Sequence, residues 1–174
     1  MSSLLTGPIE SVAEFLAHAL EMEVESAERY RELADNMAVH NNPGVAELFR
    51  QLAVEGDAHA AHVERRGAGV ALPDIAPWAF KWSSPDGPES LPLDELHYLM
   101  SRHQALELAL HNEIRGRDFY AELARASKNA EVRALAAEMA EEEGRHVAML
   151  RDWLASEAVP EPSTPDLDPP HSPE

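Results

Sequence analysis

The chain has 174 residues, with 32 acidic against 14 basic side chains and a formal net charge of −18. That length gives one domain with a core of its own, and that charge sets nucleic acid and anionic membranes aside as partners, because phosphate would repel it. The lack of cysteine excludes disulfides, zinc ribbons, iron–sulfur clusters, cysteine nucleophiles and a rubredoxin-type iron site, which is held by cysteine thiolates.

Abundant Ala, Leu and Glu favour helix, and apolar stripes at the helical period predict four helices. The first runs from about Ser11, which forms a capping-box pattern with Glu14, to about Ala38; its stripe is Phe15, Ala19, Glu23, Ser26, Tyr30, Leu33 and Met37. Asn41-Asn42-Pro43-Gly44 ends it, with Asn42 placed to cap the next helix and Pro43 at its first position. The second helix, Pro43 to Arg66, carries Val45, Leu48, Leu52, Gly56, His59 and Val63.

Residues 67–92 contain Pro73, Pro77, Pro85, Pro88 and Pro92, which exclude a long helix. Trp78, Phe80 and Trp82 predict that this stretch packs on the protein, with Trp78, Trp82 and Trp153 as core or subunit-interface residues. It is long enough to run from one end of a bundle to the other. A third helix is predicted from about Leu93 to Ala126, with stripe His103, Leu106, Leu110, Glu113, Tyr120 and Leu123. A fourth follows from about Ala130 to Ala155, with Val132, Leu135, Met139, Glu143, His146, Leu150 and Trp153. The domain should occupy residues 1–159. The six prolines after Ser156 predict a disordered tail over 160–174. Two short-linked helix pairs joined by a long crossover describe an all-α, ferritin-like four-helix bundle. The N-terminus lacks a basic signal-type segment, and no run reaches the about 18 apolar residues of a membrane span, so a soluble, cytoplasmic protein is expected.

The halves repeat. ALEMEVESAERYRELA (19–34) matches ALHNEIRGRDFYAELA (109–124), aligning Glu23 with Glu113 and Tyr30 with Tyr120. VAELFRQLAVEGDAH (45–59) matches VRALAAEMAEEEGRH (132–146), aligning His59 with His146. Each helix thus puts a polar group in the middle of its apolar stripe: Glu23, His59, Glu113, and the pair Glu143 and His146. A buried carboxylate is costly unless paired or bound to a metal, and four helices doing this at one depth point to a shared metal. Glu143 and His146, three residues apart, share a helical face and can reach one ion. Oxygen and imidazole donors suit iron or manganese.

The pattern E-x6-Y followed by LA-x-E-x3-H, twice over and most specific in LAAEMAEEEGRHVAML (135–150), resembles the rubrerythrin family of ferritin-like proteins across about residues 10–155. The resemblance implies a non-haem di-iron centre that reduces hydrogen peroxide or oxidises ferrous iron, with dioxygen or peroxide as oxidant and electrons from an external donor or from the ferrous substrate. It implies Glu23, Glu113, Glu143, His59 and His146 as ligands. Two positions depart from the family pattern. Gly56 stands where a second-helix carboxylate is expected, flanked by Glu55 and Asp57, of which Glu55 can substitute by turning inward; Gly116 stands where a further Glu follows the helix-three ligand. A mononuclear or asymmetric site, or another divalent metal, stays open beside the two-iron centre, as do an iron-storage module with little turnover and a bundle whose site is partly lost. Tyr30 and Tyr120 read as core tyrosines, as hydrogen-bond donors to ligand carboxylates, or both. His62 reads as a stripe-edge residue, His103 as structural, and a homodimer is expected.

Overall fold

A computed structural model describes residues 3–84, 87–89 and 97–157; the expected tail lies outside them. Among the described residues four α-helices form: α1 (Val12–Val39), α2 (Pro43–Arg66), α3 (Arg102–Ala126) and α4 (Ala130–Ser156), with a short 3-10 turn at Pro77–Ala79 in the crossover between α2 and α3. No strand forms among the described residues; Leu5 and Trp82 make an isolated bridge. No helix there is long and apolar enough to cross a membrane.

The boundaries follow from local chemistry. The Ser11 hydroxyl accepts from the Glu14 amide at 3.1 Å and starts α1. The α1–α2 turn places Asn41 at φ 58°, a left-handed conformation that Asn tolerates better than most residues. Asn42 then caps α2, with Pro43 at its start. Asn129 caps α4 through the amides of Glu131 and Val132. The expected start of the third helix near Leu93 lies outside the described residues. Residues 97–100 form a turn, and α3 begins at Arg102 because Ser101 and Gln104 close a reciprocal capping box. The Asn42 amide holds that turn from outside, donating to the carbonyls of Tyr98 and Met100 at 3.2 and 2.8 Å.

The core divides into two apolar clusters. Tyr30, Leu33, Phe49, Leu52, Leu106 and Leu150 belong to one; Phe15, Met22, Val63, Tyr120, Leu123 and Met139 belong to the other. Every helix passes from one cluster to the other, and the change occurs at the polar stripe positions. A polar layer therefore separates two apolar ends, which is how a bundle can carry charged groups without giving up its core.

His18 fastens the crossover to α1. It is fully buried, its Nδ1 lies 2.8 Å from the Glu14 carbonyl, and its Nε2 accepts from the Lys81 amide at 2.9 Å. An acceptor at Nε2 requires the proton on Nδ1, so the ring is held neutral in one tautomer. Phe80 and Trp82 pack edge-on against it. Trp82 is buried as expected, whereas Trp78 is 89% exposed and takes no part in the core. Burial lowers the His18 pKa; a lowered base gives stability that is present above about 6.5 and declines as pH falls through the folded-state value. We expect His18→Ala to lower folding stability by about 3 kcal/mol, from the cavity and the stranded Lys81 amide together. Urea unfolding checks this; a loss below about 1 kcal/mol, typical of a peripheral contact, would show that the crossover is held elsewhere.

Candidate metal centre

Glu23, Glu113 and Glu143 reach the polar layer from α1, α3 and α4, at 1%, 8% and 1% exposure. His59 on α2 and His146 on α4 complete it. The two imidazoles stack with ring centres 4.3 Å apart, and their Nε2 atoms face each other at 3.2 Å. Nδ1 of His59 lies 3.2 Å from Glu23 Oε2 and 3.6 Å from Glu143 Oε1. Nδ1 of His146 lies 3.7 Å from Glu113 Oε2 and 3.6 Å from Glu143 Oε2. The five residues thus converge on one small volume.

A sixth carboxyl-or-imidazole side chain joins them from outside the helices. Glu89, in the crossover, is 4% exposed. Donor atoms within 4.8 Å of one another form two triads, His59–Glu143–His146 and Glu23–Glu89–Glu143, and Glu143 belongs to both. The sequence grouped the donors by halves, Glu113 with Glu143 and His146, and Glu23 with His59. In space the two histidines stand together and the carboxylates gather beside them.

The tyrosines flank this layer unequally. Tyr120 donates its hydroxyl to Glu23 Oε1 at 3.0 Å, a hydrogen bond across the two halves that leaves Oε2 turned toward His59. Tyr30 accepts from the Asn112 amide at 3.3 Å. Burial, reinforced by Glu113 at Tyr30 and by Glu23 at Tyr120, raises both phenols well above their ordinary pKa, so both hold their protons.

Gly56 is a packing position. A Cβ there would lie 3.0 Å from the Ala27 Cβ and 3.3 Å from its Cα, so α1 and α2 meet too closely for a side chain. Glu55 is exposed and lines the edge of the site cavity; it belongs to neither triad. Asp57 faces outward and pairs with Arg31. A third cluster, His62, Glu138 and Glu142, is half-exposed and already balanced: His62 meets Glu142 at 3.0 Å, and Arg66 pairs with Glu138 and donates to His62. It reads as an ion-pair network between α2 and α4.

The donor set fits a metal on the site's own geometry. Of the buried polar side-chain atoms left without a hydrogen-bond partner among the described residues, four lie here: both oxygens of Glu143, Oε1 of Glu89 and Nδ1 of His146. Native structures leave few such atoms, and each asks for an explanation; a divalent cation satisfies all of them. The cavity between the donors is small, ≈ 10 Å³, about the volume of one water-sized sphere. That suits an ion or a water-sized reactant and leaves no room for an organic substrate. A wider hollow of ≈ 480 Å³ lies elsewhere, against Met100, Glu107, His111 and Arg115.

Without a cation the acids repel one another. Burial, with neighbouring carboxylates adding, raises the pKa of Glu89 and Glu143 well above the ordinary value and that of Glu113 less far. Burial alone would lower His59, but the Glu23 hydrogen bond and charge raise it; burial and the His59 charge lower His146. A raised acid binds protons in the folded state that the unfolded chain has released, so it contributes stability at low pH that is lost as pH rises from about 4.5 through the folded-state value. His59 acts in the same sense above about 6.5, His146 in the opposite sense below it. His18, lowered by burial, joins His146 in the opposite sense, and three raised carboxyls stand against these two histidines. The metal-free protein should therefore melt at a higher temperature at pH 5.5 than at pH 7.5, while the stabilisation added by metal should grow with pH, since metal displaces those protons. Melting curves with and without chelator check both slopes; a metal-free melting temperature that climbs with pH would refute the repulsion account.

A model of the rubrerythrin family matches residues 14–69 and 104–166 of the chain. No curated protein matches it. A solved structure does: the crystal structure of an uncharacterized conserved protein from Magnetospirillum magnetotacticum MS-1, 39% identical over 88% of this chain and 99% of that one, with a TM-score of 0.67. The four-helix bundle with its crossover between α2 and α3, the duplicated stripe with its Glu and His positions, and the family match agree: the chain belongs to the rubrerythrin family.

Proposed function

We propose that the protein is a di-iron carboxylate oxidoreductase that consumes a small oxidant, hydrogen peroxide or dioxygen, as it oxidises ferrous iron. The observation that carries this reading is Glu143. It is buried, neither oxygen accepts from a nitrogen or hydroxyl donor among the described residues and only the neighbouring Glu113 carboxyl can share a proton with it, and it belongs to two donor triads at once. A carboxylate shared between two cation positions is what a two-metal centre requires. His59 and His146 would serve one position, Glu23 the other, with Glu113 beside His146.

Held by these residues, two ferrous ions would supply the two electrons that, with two protons, convert hydrogen peroxide to two molecules of water. The side chains set the conditions for that chemistry. Tyr120 fixes the orientation of Glu23. The phenols of Tyr30 and Tyr120 keep their protons, and apolar clusters close both ends of the layer, while His59 and His146 stay 15% and 20% exposed at its side. The cavity admits a reactant of water size. Electrons for further turnovers come from a separate donor or from ferrous iron itself.

Anaerobic loading with ferrous iron, followed by rapid mixing with peroxide, tests the reading. We expect two irons oxidised per peroxide, faster than free ferrous iron in the same buffer, with that acceleration absent in Glu143→Ala. Bound iron that reacts no faster than free iron would make the site a store and not a catalyst.

A further inference from the structure

We propose that Glu89 is a metal ligand supplied by the crossover, standing in the space that Gly116 leaves open on α3. The proposal rests on the two-metal reading above and names a residue of that site that lies in no helix.

Three observations converge on it. The first is space. A Cβ at Gly116 would lie 2.8 Å from Cδ of Glu89 and 2.9 Å from its Cγ, so the carboxyl of residue 89 occupies the volume where a side chain of residue 116 would begin. The second is aim. Glu89 is buried, its Oε1 has no partner, and its carboxylate lies within the triad with Glu23 and Glu143. A Ser26 hydrogen bond and the Arg115 charge act on this carboxyl, yet Oε1 is left without a donor, and each such buried atom asks for an explanation. The third is anchorage. Arg115, next to Gly116, donates from Nε to the Pro88 carbonyl at 2.7 Å, and Gly87 and Pro88 are buried beside Glu89. The backbone on either side of the gap is thereby tied together, which sets the Glu89 side chain over Gly116.

With Glu89 counted, the carboxylate group Glu23–Glu89–Glu143 matches the histidine group His59–Glu143–His146 in number of donors, and the metal links the crossover to α1 and α4. Replacement of Gly116 by a larger residue would displace this acid, which accounts for glycine at a buried position in the middle of a helix where it costs about 1 kcal/mol against alanine.

Cobalt(II) titration of the full-length, metal-free protein under nitrogen, followed by its visible absorption, tests the proposal in wild type, Glu89→Gln, Glu89→Ala and Glu143→Ala. Wild type should bind two cobalt ions. Both Glu89 variants should retain one tight ion, and their affinity for the second should fall by more than the roughly 10–100-fold loss seen when only a residue supporting a ligand is altered. Their metal-free melting temperature should equal or exceed that of wild type, since a buried acid with one unsatisfied oxygen has been removed. Glu89 variants that titrate like wild type while Glu143→Ala loses cobalt would overturn the role of Glu89 and leave the two-metal reading standing. A wild type that binds no cobalt would overturn both. A metal-free melting temperature lowered by many degrees in both Glu89 variants, with cobalt stoichiometry unchanged, would make Glu89 a packing residue.

Discussion

Glu143→Ala is expected to strip metal from both positions at once, the largest effect of any single replacement in the site. Glu143 is common to both donor triads, so its loss leaves only two donors in each. His59→Ala and His146→Ala each remove one donor from one triad, and should lower metal content by at most half. Because the two imidazoles face each other across 3.2 Å, their effects should be similar; the sequence repeat alone sets Glu143 and His146 above His59. The same Glu143 replacement should raise the melting temperature of the metal-free protein, since it removes a buried acid that three other carboxyls destabilise. Elemental analysis together with melting in chelator separates the two effects. Metal content above half of wild type in Glu143→Ala would show that the two positions do not share this residue.

Gly56→Glu should remove much of the protein's stability margin and restore no metal ligand. The family pattern puts a carboxylate at this position, so the replacement is the natural attempt at repair. The structure opposes it, because Ala27 lies 3.0 Å from where the first side-chain atom would sit and would have to give way by a few tenths of an ångström. Both neighbours are helix, and the contact includes the Ala27 backbone as well as its Cβ, so relief requires a local shift of α1 against α2. We expect a loss of about 3 kcal/mol, at the upper end for overpacking, with metal content unchanged or reduced. Urea unfolding and metal analysis check it; a stable Gly56→Glu protein with more metal than wild type would mean that α1 and α2 can part here.

The helices were legible because their stripes are strict. All seven α1 stripe residues, from Phe15 to Met37, are buried, and the polar members of the four stripes meet in one layer. The repeat also contained the reason that Glu55 stays outside: it aligns with Glu142, which in the structure faces His62 and Arg145. The beginning of α3 was not legible from periodicity, since apolar residues near Tyr98 and Met100 continue the stripe while Ser101 caps the helix. Gly56 and Gly116 both read as missing carboxylates, yet one is a helix contact and the other makes room for a side chain from elsewhere. That second case was beyond reach because Glu89 sits among prolines, where no period marks a face. The one signal was Gly116 itself: a glycine in a buried stripe implies that something else fills the space. His18 lay one residue off the stripe, and only the packed crossover explains its burial.

Two metal positions joined by one carboxylate are read most directly by metal stoichiometry. Protein freed of metal, loaded with excess ferrous iron under nitrogen and passed through a desalting column should retain two irons per chain in wild type and close to none in Glu143→Ala. A wild-type chain that retains no iron, or a Glu143→Ala chain that retains two, would contradict this arrangement.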